Sequence, residues 1–230
     1  MFFNTGYIIF MVPAFILMAI TSWYVKSAYN KWSKVRARSG LTGSQAAQRL
    51  ISSSGLYGVT IRPIGGQLTD NYDPRTKVLN LSQGVGDTPS VAALAIAAHE
   101  LGHAMQDSED YFPLRFRAAL VPMVNIGSNL GWILIMIGLF INFIQVAWLG
   151  VIFFAGGAVF ALATLPVEFD ASARAKRMLV DSGIIVGEEE QGGVNAVLNA
   201  AALTYVAALV TAVMQVLYYV TLLSGGRRRS

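Results

Sequence analysis

Residues 90–106 read SVAALAIAAHELGHAMQ, a run of small and apolar residues that carries two histidines, His99 and His103. The chain of 230 residues contains no other histidine. Alanine and leucine favour a helix, in which positions i and i+4 share one face. Both imidazoles can therefore reach one metal ion from that face, with Glu100 beside them to handle a proton.

The motif at residues 99–103 has the His-Glu-x-x-His pattern that is typical of zinc metallopeptidases. A catalytic zinc ion has three protein ligands and an open position. Because the chain offers no further histidine and no cysteine, the third ligand should be a carboxylate. We expect this ligand to be Glu168, which follows a long apolar segment and stands at the start of a helical segment. If the apolar segment forms a hairpin in the membrane, it returns the chain to the surface that carries the two histidines. Asp170 is its local competitor.

The composition favours a membrane protein. Apolar residues make up 54% of the chain and charged residues only 13%, against roughly 25% charged residues in soluble proteins. The apolar residues form long blocks, and the basic residues behind the net charge of +4 flank those blocks, which indicates membrane anchoring and not a nucleic-acid surface. The absence of cysteine excludes disulfides, cysteine zinc sites and cysteine nucleophiles.

We expect a mainly α membrane protein with about four transmembrane helices and a small α+β zincin-like catalytic domain that contains a hairpin. The sequence divides into five expected segments. A transmembrane helix at 1–25 precedes a cytoplasmic zincin-like segment at 26–117, which contains the motif helix, and a transmembrane hairpin at 118–165, which breaks near 142–145. A helical segment with the third zinc ligand at 166–193 and a C-terminal transmembrane helix with a basic tail at 194–230 complete the chain. The first helix is expected to be retained, because no basic residue precedes it and no convincing cleavage site follows.

The segment before the motif shows finer patterns. We expect a helix at 45–53, a strand at 59–61, hairpin arms at 68–72 and 77–81 around a turn at 73–76, and a motif helix capped by Thr88 or Ser90. The second arm could pair with an extended substrate through its main chain, which makes Val78, Leu79 and Asn80 candidate substrate-binding residues.

Topology follows from the basic residues. Lysines and arginines after the first apolar block place residues 26–117, and hence the active site, in the cytoplasm. Four spans then put both chain ends on one side, which leaves the arginine tail at 227–229 against the charge bias. The acidic run at 188–190 is expected to be a solvated loop.

Four stretches together resemble the YugP-type neutral zinc metallopeptidases of bacterial membranes: LTDNYDPRTKVLNLS at 68–82, SVAALAIAAHELGHAMQ at 90–106, LPVEFDAS at 165–172 and AALTYVAA at 201–208. The resemblance implies a membrane-bound zinc peptidase that uses His99, His103 and Glu100. The chain is also similar to the HtpX-type and prenyl-protein membrane proteases, which carry Glu-x-x-x-Asp after their membrane hairpin. Glu168 matches that glutamate, whereas Ser172 stands where the aspartate would be.

The expected activity is hydrolysis of peptide bonds at the membrane surface by a metal-activated water, with Zn²⁺ as cofactor and Glu100 as general base. The resemblance places the protein in a bacterial cytoplasmic membrane. Its partners would be the bilayer and a protein or peptide substrate, with membrane proteins among the candidates. Tyr205 and Arg174 are weak candidates for stabilising the oxyanion.

The alternative is a non-catalytic membrane scaffold or quality-control partner with a residual zinc site. An intramembrane protease is disfavoured, because the polar residues 106–110 directly follow the motif.

Overall fold

The computed structural model describes residues 5–225, and the arginine tail lies outside them. In chain order the elements are α1 (Thr5–Trp32), α2 (Gly43–Ser53), β1 (Thr60–Ile64), β2 (Asn71–Asp73), β3 (Val78–Ser82), α3 (Gln83–Gly86), α4 (Val91–Ser108), α5 (Phe112–Phe140), α6 (Ile144–Asp181) and α7 (Glu188–Gly225). The fold is mainly helical with one small sheet, as expected. The chain divides into two compact units, which we call the membrane unit (5–22, 115–166 and 204–225) and the motif unit (23–114 and 167–203).

The membrane unit contains the apolar parts of four helices. Within residues 5–225, α1, α5, α6 and α7 are each long and apolar enough to cross a membrane. Only 17% of the most apolar window of each helix is buried inside the protein, so most of these residues are at least partly exposed. An outward-facing apolar surface of this kind suits contact with lipid. The expectation of four candidate spans is confirmed.

Glycines let two of these helices approach closely. A Cβ on Gly131 of α5 would lie 2.7 Å from the carbonyl oxygen of Gly150 in α6, and a Cβ on Gly150 would lie 2.6 Å from that of Gly131. Close backbone contact at small residues is the usual packing of membrane helices. The turn between α5 and α6 uses Asn142 at φ 55°, a left-handed conformation that asparagine tolerates better than most residues.

Helix α6 corrects the prediction for the segment after residue 165. It runs without interruption through Pro166 to Asp181, so Glu168 lies inside a long helix and not at the start of a new one. A proline removes one backbone donor, and a long helix with strong helix formers on both sides can bend around it without ending.

The acidic run at 188–190 is also not a solvated loop. It forms the first turn of α7, where carboxylates favour the helix dipole. The side chain of Glu190 is 2% exposed and accepts hydrogen bonds from the backbone N–H groups of Arg38 (2.6 Å) and Val186 (2.9 Å). It thereby fastens two distant loops of the motif unit.

The sheet of the motif unit has the strand order β1-β3-β2, with β1 parallel and β2 antiparallel to β3. The predicted hairpin is β2 and β3, but its first arm is shorter than expected. Leu68 has φ 56°, a left-handed conformation that does not continue a strand. The Asp73 carboxylate holds the turn by accepting from Arg75 N–H and the Thr76 hydroxyl, each at 2.9 Å.

The motif helix α4 lies in the core of the motif unit. Ser90, and not Thr88, caps it by accepting from the N–H of Ala93 at 3.2 Å. Its alanine-rich first half is almost fully buried and packs with the core leucines Leu79 and Leu81 of β3. Gly102 brings α4 against α6, since a Cβ there would lie 2.5 Å from the carbonyl oxygen of Ala171.

We predict that Gly102→Ala destabilises the protein by about 1–3 kcal/mol, because the added methyl group meets backbone that cannot rotate away. Thermal unfolding of the purified protein in detergent measures the loss. Gly192→Ala is the matched control, since a Cβ on that helical glycine of α7 has no neighbour within 4 Å. Equal unfolding temperatures for Gly102→Ala and the wild type would contradict the prediction.

Candidate metal centre

Two helices bring three potential metal ligands to one buried point. His99 and His103 lie one turn apart on α4, and Glu168 reaches them from α6. Glu168 Oε2 lies 3.3 Å from His99 Nε2 and 3.5 Å from His103 Nε2. The two histidine side chains are 12% and 13% exposed and the glutamate side chain 4%. The ligand atoms of the three residues all lie within 4.8 Å of one another.

This donor set fits zinc. Two imidazoles and one carboxylate form a common ligand set of catalytic zinc sites. Donor atoms bonded to one tetrahedral zinc ion lie roughly 3.4 Å from one another. The two distances to Glu168 Oε2 are close to that value, and both histidines direct Nε2 toward the carboxylate. The three residues can therefore hold the ion that the motif predicts.

The electrostatic surroundings favour positive charge at this point. Burial alone would lower the pKa of His103, but its hydrogen bond with Glu168 and the nearby charge of Glu100 outweigh burial and raise that pKa. The acids thus stabilise a cationic imidazole next to them. The same negative potential would attract a divalent cation.

Glu100 lies on α4 beside the three ligands but outside their cluster. Its Oε2 accepts a hydrogen bond from the backbone N–H of Tyr72 in β2 at 3.1 Å. Burial raises the pKa of the Glu100 carboxyl, although the neighbouring His99 and His103 oppose the shift. A carboxylate with raised proton affinity is suited to accept a proton from a reacting group.

Asp170, the competitor for the third ligand position, is engaged elsewhere. Its Oδ2 accepts from Gln106 Nε2 at 2.8 Å and from Arg174 Nε at 2.5 Å. Arg174 also donates to Glu109 at 2.7 Å, so this oxyanion candidate is already held by two acids. The other oxyanion candidate, Tyr205, belongs to α7 within the membrane unit.

Ser172 of α6 contacts His99, one of the three candidate ligands. Its Oγ is 3.2 Å from Nδ1 of His99, and the residue is 7% exposed. A hydroxyl therefore stands beside the histidine at the position where the resembling proteases carry an aspartate. It can hold the imidazole by a hydrogen bond without adding a charge.

The suggested pairing of a substrate with Val78, Leu79 and Asn80 does not fit the sheet. These residues belong to β3, the central strand, which pairs with β1 on one side and with β2 on the other. Leu79 and Asn80 are also buried. Because both edges of β3 are occupied, an added strand has no backbone groups to pair with there.

Sequence reasoning missed two residues around the cluster, Tyr72 and Gln106. Gln106 follows His103 by three positions, so helical spacing alone could have placed both on one face. The contact of Tyr72 with Glu100 joins residues 28 positions apart and has no local signal.

Comparison with known proteins shows what this chain is similar to. A model of the family described as "Putative neutral zinc metallopeptidase" matches residues 7–224. The chain is 42% identical over 221 residues to a protein of Bacillus subtilis (strain 168) named "Putative membrane protease YugP", and the alignment covers 96% of this chain and 98% of that protein. No solved structure matches the chain. The family resemblance that the sequence indicated is confirmed.

We predict that the wild-type protein binds about one zinc ion per chain and that Glu168→Gln binds much less, because a neutral amide is a poor replacement for a carboxylate ligand. Elemental analysis of the purified protein measures this. Asp181→Asn removes an exposed carboxylate from the end of the same helix and should leave the zinc content unchanged. Full zinc content in Glu168→Gln would exclude this residue as a ligand.

Proposed function

Because the chain belongs to the family described as "Putative neutral zinc metallopeptidase", we propose that it is a membrane-anchored zinc-dependent endopeptidase. The observation that carries this proposal is the convergence of His99, His103 and Glu168 at one buried point with Glu100 beside them. The cluster gives the donor set of a catalytic zinc site, and the adjacent glutamate gives the base that hydrolysis needs.

In the proposed mechanism His99, His103 and Glu168 hold the zinc ion. Bound zinc supplies a Lewis acid that lowers the pKa of water toward neutrality and polarises the scissile carbonyl. Glu100 accepts the proton of the attacking water and later delivers it to the leaving amine. The backbone N–H of Tyr72 orients the Glu100 carboxylate, and the raised pKa of this carboxyl suits both transfers.

We propose that the motif unit works as a zincin-like catalytic domain. Helix α4 carries the motif, and the edge strand β2 of the small sheet contacts Glu100. Helix α6 completes the site with Glu168, which lies next to His99 and His103.

We propose that the site works at the cytoplasmic surface of a bacterial membrane. Glu168 follows the apolar part of α6 within the same helix, only two residues after Pro166. Basic residues follow the apolar part of α1: Lys26, Lys31, Lys34, Arg36 and Arg38. Such residues favour the cytoplasmic side. Substrates would then be proteins or peptides, membrane proteins among them, that can reach a site near the bilayer.

The main prediction of this proposal concerns Glu100. Glu100→Gln should lower the cleavage rate of an unfolded protein substrate roughly 10²–10⁴-fold, because the amide cannot accept the proton. Zinc content should persist, since Glu100 lies outside the ligand cluster and the amide oxygen can still accept from Tyr72 N–H.

Glu189→Gln, an exposed acid in the first turn of α7, is the control and should cleave like the wild type. Cleavage by Glu100→Gln at the wild-type rate would exclude its role as base. A wild-type protein that holds zinc but cleaves no substrate would favour the non-catalytic scaffold instead.

Metal removal gives an independent prediction. Dialysis against a chelator should abolish cleavage, and stoichiometric zinc should restore it, whereas magnesium should not, because the donor set includes two imidazoles. The measurement is the cleavage rate before removal, after removal and after each addition. Activity that survives complete zinc removal would contradict the proposal.

A further inference from the structure

Gln106 is a completely buried polar side chain next to the three candidate metal ligands. It lies near the end of α4 with 0% exposure. Its Nε2 donates to the carbonyl oxygen of Val167 and to Oδ2 of Asp170, each at 2.8 Å. Its Oε1 lies 3.0 Å from Nδ1 of His103. One side chain thus joins the motif helix, helix α6 and a metal ligand.

These contacts fix which way the amide points. A backbone carbonyl and a carboxylate offer acceptor oxygens, so the NH₂ group must face Val167 and Asp170. A flipped amide would place its oxygen against both of them and lose two hydrogen bonds. The amide oxygen therefore faces His103.

The orientation of Gln106 determines the tautomer of His103. Because the amide oxygen only accepts, Nδ1 of His103 must carry a hydrogen, and in the neutral imidazole that binds a metal this leaves the lone pair on Nε2. That nitrogen is the one directed at Glu168, 3.5 Å away. His99 differs, because its neighbour Ser172 is a hydroxyl that can donate or accept and so does not impose a tautomer.

We infer that Gln106 is a positioning residue that holds His103 as the Nδ1–H tautomer and so presents Nε2 to the metal. Asp170 and the Val167 carbonyl keep the amide in this orientation. Arg174 in turn holds Asp170 and Glu109, which extends the chain of contacts to the protein surface. The inference rests on the proposed zinc site and adds the group that orients one of its ligands.

The first test measures zinc affinity in the full chain by competition with a chromogenic chelator. Gln106→Met keeps the length of the side chain but removes the acceptor, and we expect zinc binding to weaken roughly 10–100-fold, as for other residues that orient a metal ligand. Met105→Leu is the control, because it changes a partly buried side chain in the same turn of α4 that has no amide to hold an imidazole. Zinc affinity in Gln106→Met within about twofold of the wild type would overturn the inference.

The second test measures the hydrogen bond between His103 Nδ1–H and Gln106 Oε1 directly. Since the chain has only two histidines, ¹⁵N-histidine labelling of the zinc-loaded protein, purified through a tag without histidine, shows ring nitrogens from the site alone. We expect the Nδ1–H proton of His103 to exchange slowly with water. It should exchange rapidly in Gln106→Met, while the signals of His99 persist. Ser172→Ala should give the reverse pattern, because it removes the partner of His99.

The outcomes separate the two proposals. A wild-type chain that binds no zinc would overturn the proposed function and this inference together. If the wild type binds zinc, an unchanged zinc affinity in Gln106→Met would overturn the inference alone, and so would an unchanged exchange rate of the His103 Nδ1–H proton. If Gln106→Met does not fold, the wild-type protein decides, and an Nδ1–H proton of His103 that exchanges as fast as that of free imidazole would overturn the inference.

Discussion

The close approach of α4 and α6 at Gly102 is the constraint on which the motif unit depends. With no Cβ at this position, the Ala171 carbonyl of α6 can lie against the backbone of α4. This spacing lets the buried Glu168 carboxylate come within 3.3 Å of His99 Nε2. Burying a carboxylate costs free energy unless groups that favour its charge are near. The helix contact brings Glu168 to the two histidines, and the histidines in turn stabilise its buried charge.

The buried polar side chains around the two histidines are hydrogen-bonded. Among the described residues, no buried side-chain nitrogen or oxygen lacks a hydrogen-bond partner. His103 has Gln106 at Nδ1 and Glu168 at Nε2, and His99 has Ser172 and Glu168 in the same places. Groups fixed in this way need little rearrangement to hold an ion, which is the physical meaning of a preorganised site.

The long helix α6 shows how one element can serve two environments. Its first part is apolar enough to cross a membrane, and its later part carries Glu168, Asp170 and Ser172. Local rules end a helix near Pro166, because proline lacks a donor and disfavours helical backbone before it. The helix nonetheless continues through Pro166 over 38 residues, since the proline interrupts the backbone hydrogen bonding only locally.

Composition and motif alone predicted the four apolar spans, the helix with His99, Glu100 and His103, and a carboxylate as the third ligand, because these follow from residue type and short-range spacing. The choice of Glu168 also followed from its place after the hairpin, but the engagement of Asp170 with Arg174 is visible only in the folded chain. Only the tertiary structure placed β3 at the centre of the sheet, buried Glu190 against the backbone of Arg38 and fixed the Gln106 amide through Val167 and Asp170 of α6. Such features depend on contacts between residues far apart in the chain, and no local pattern encodes them.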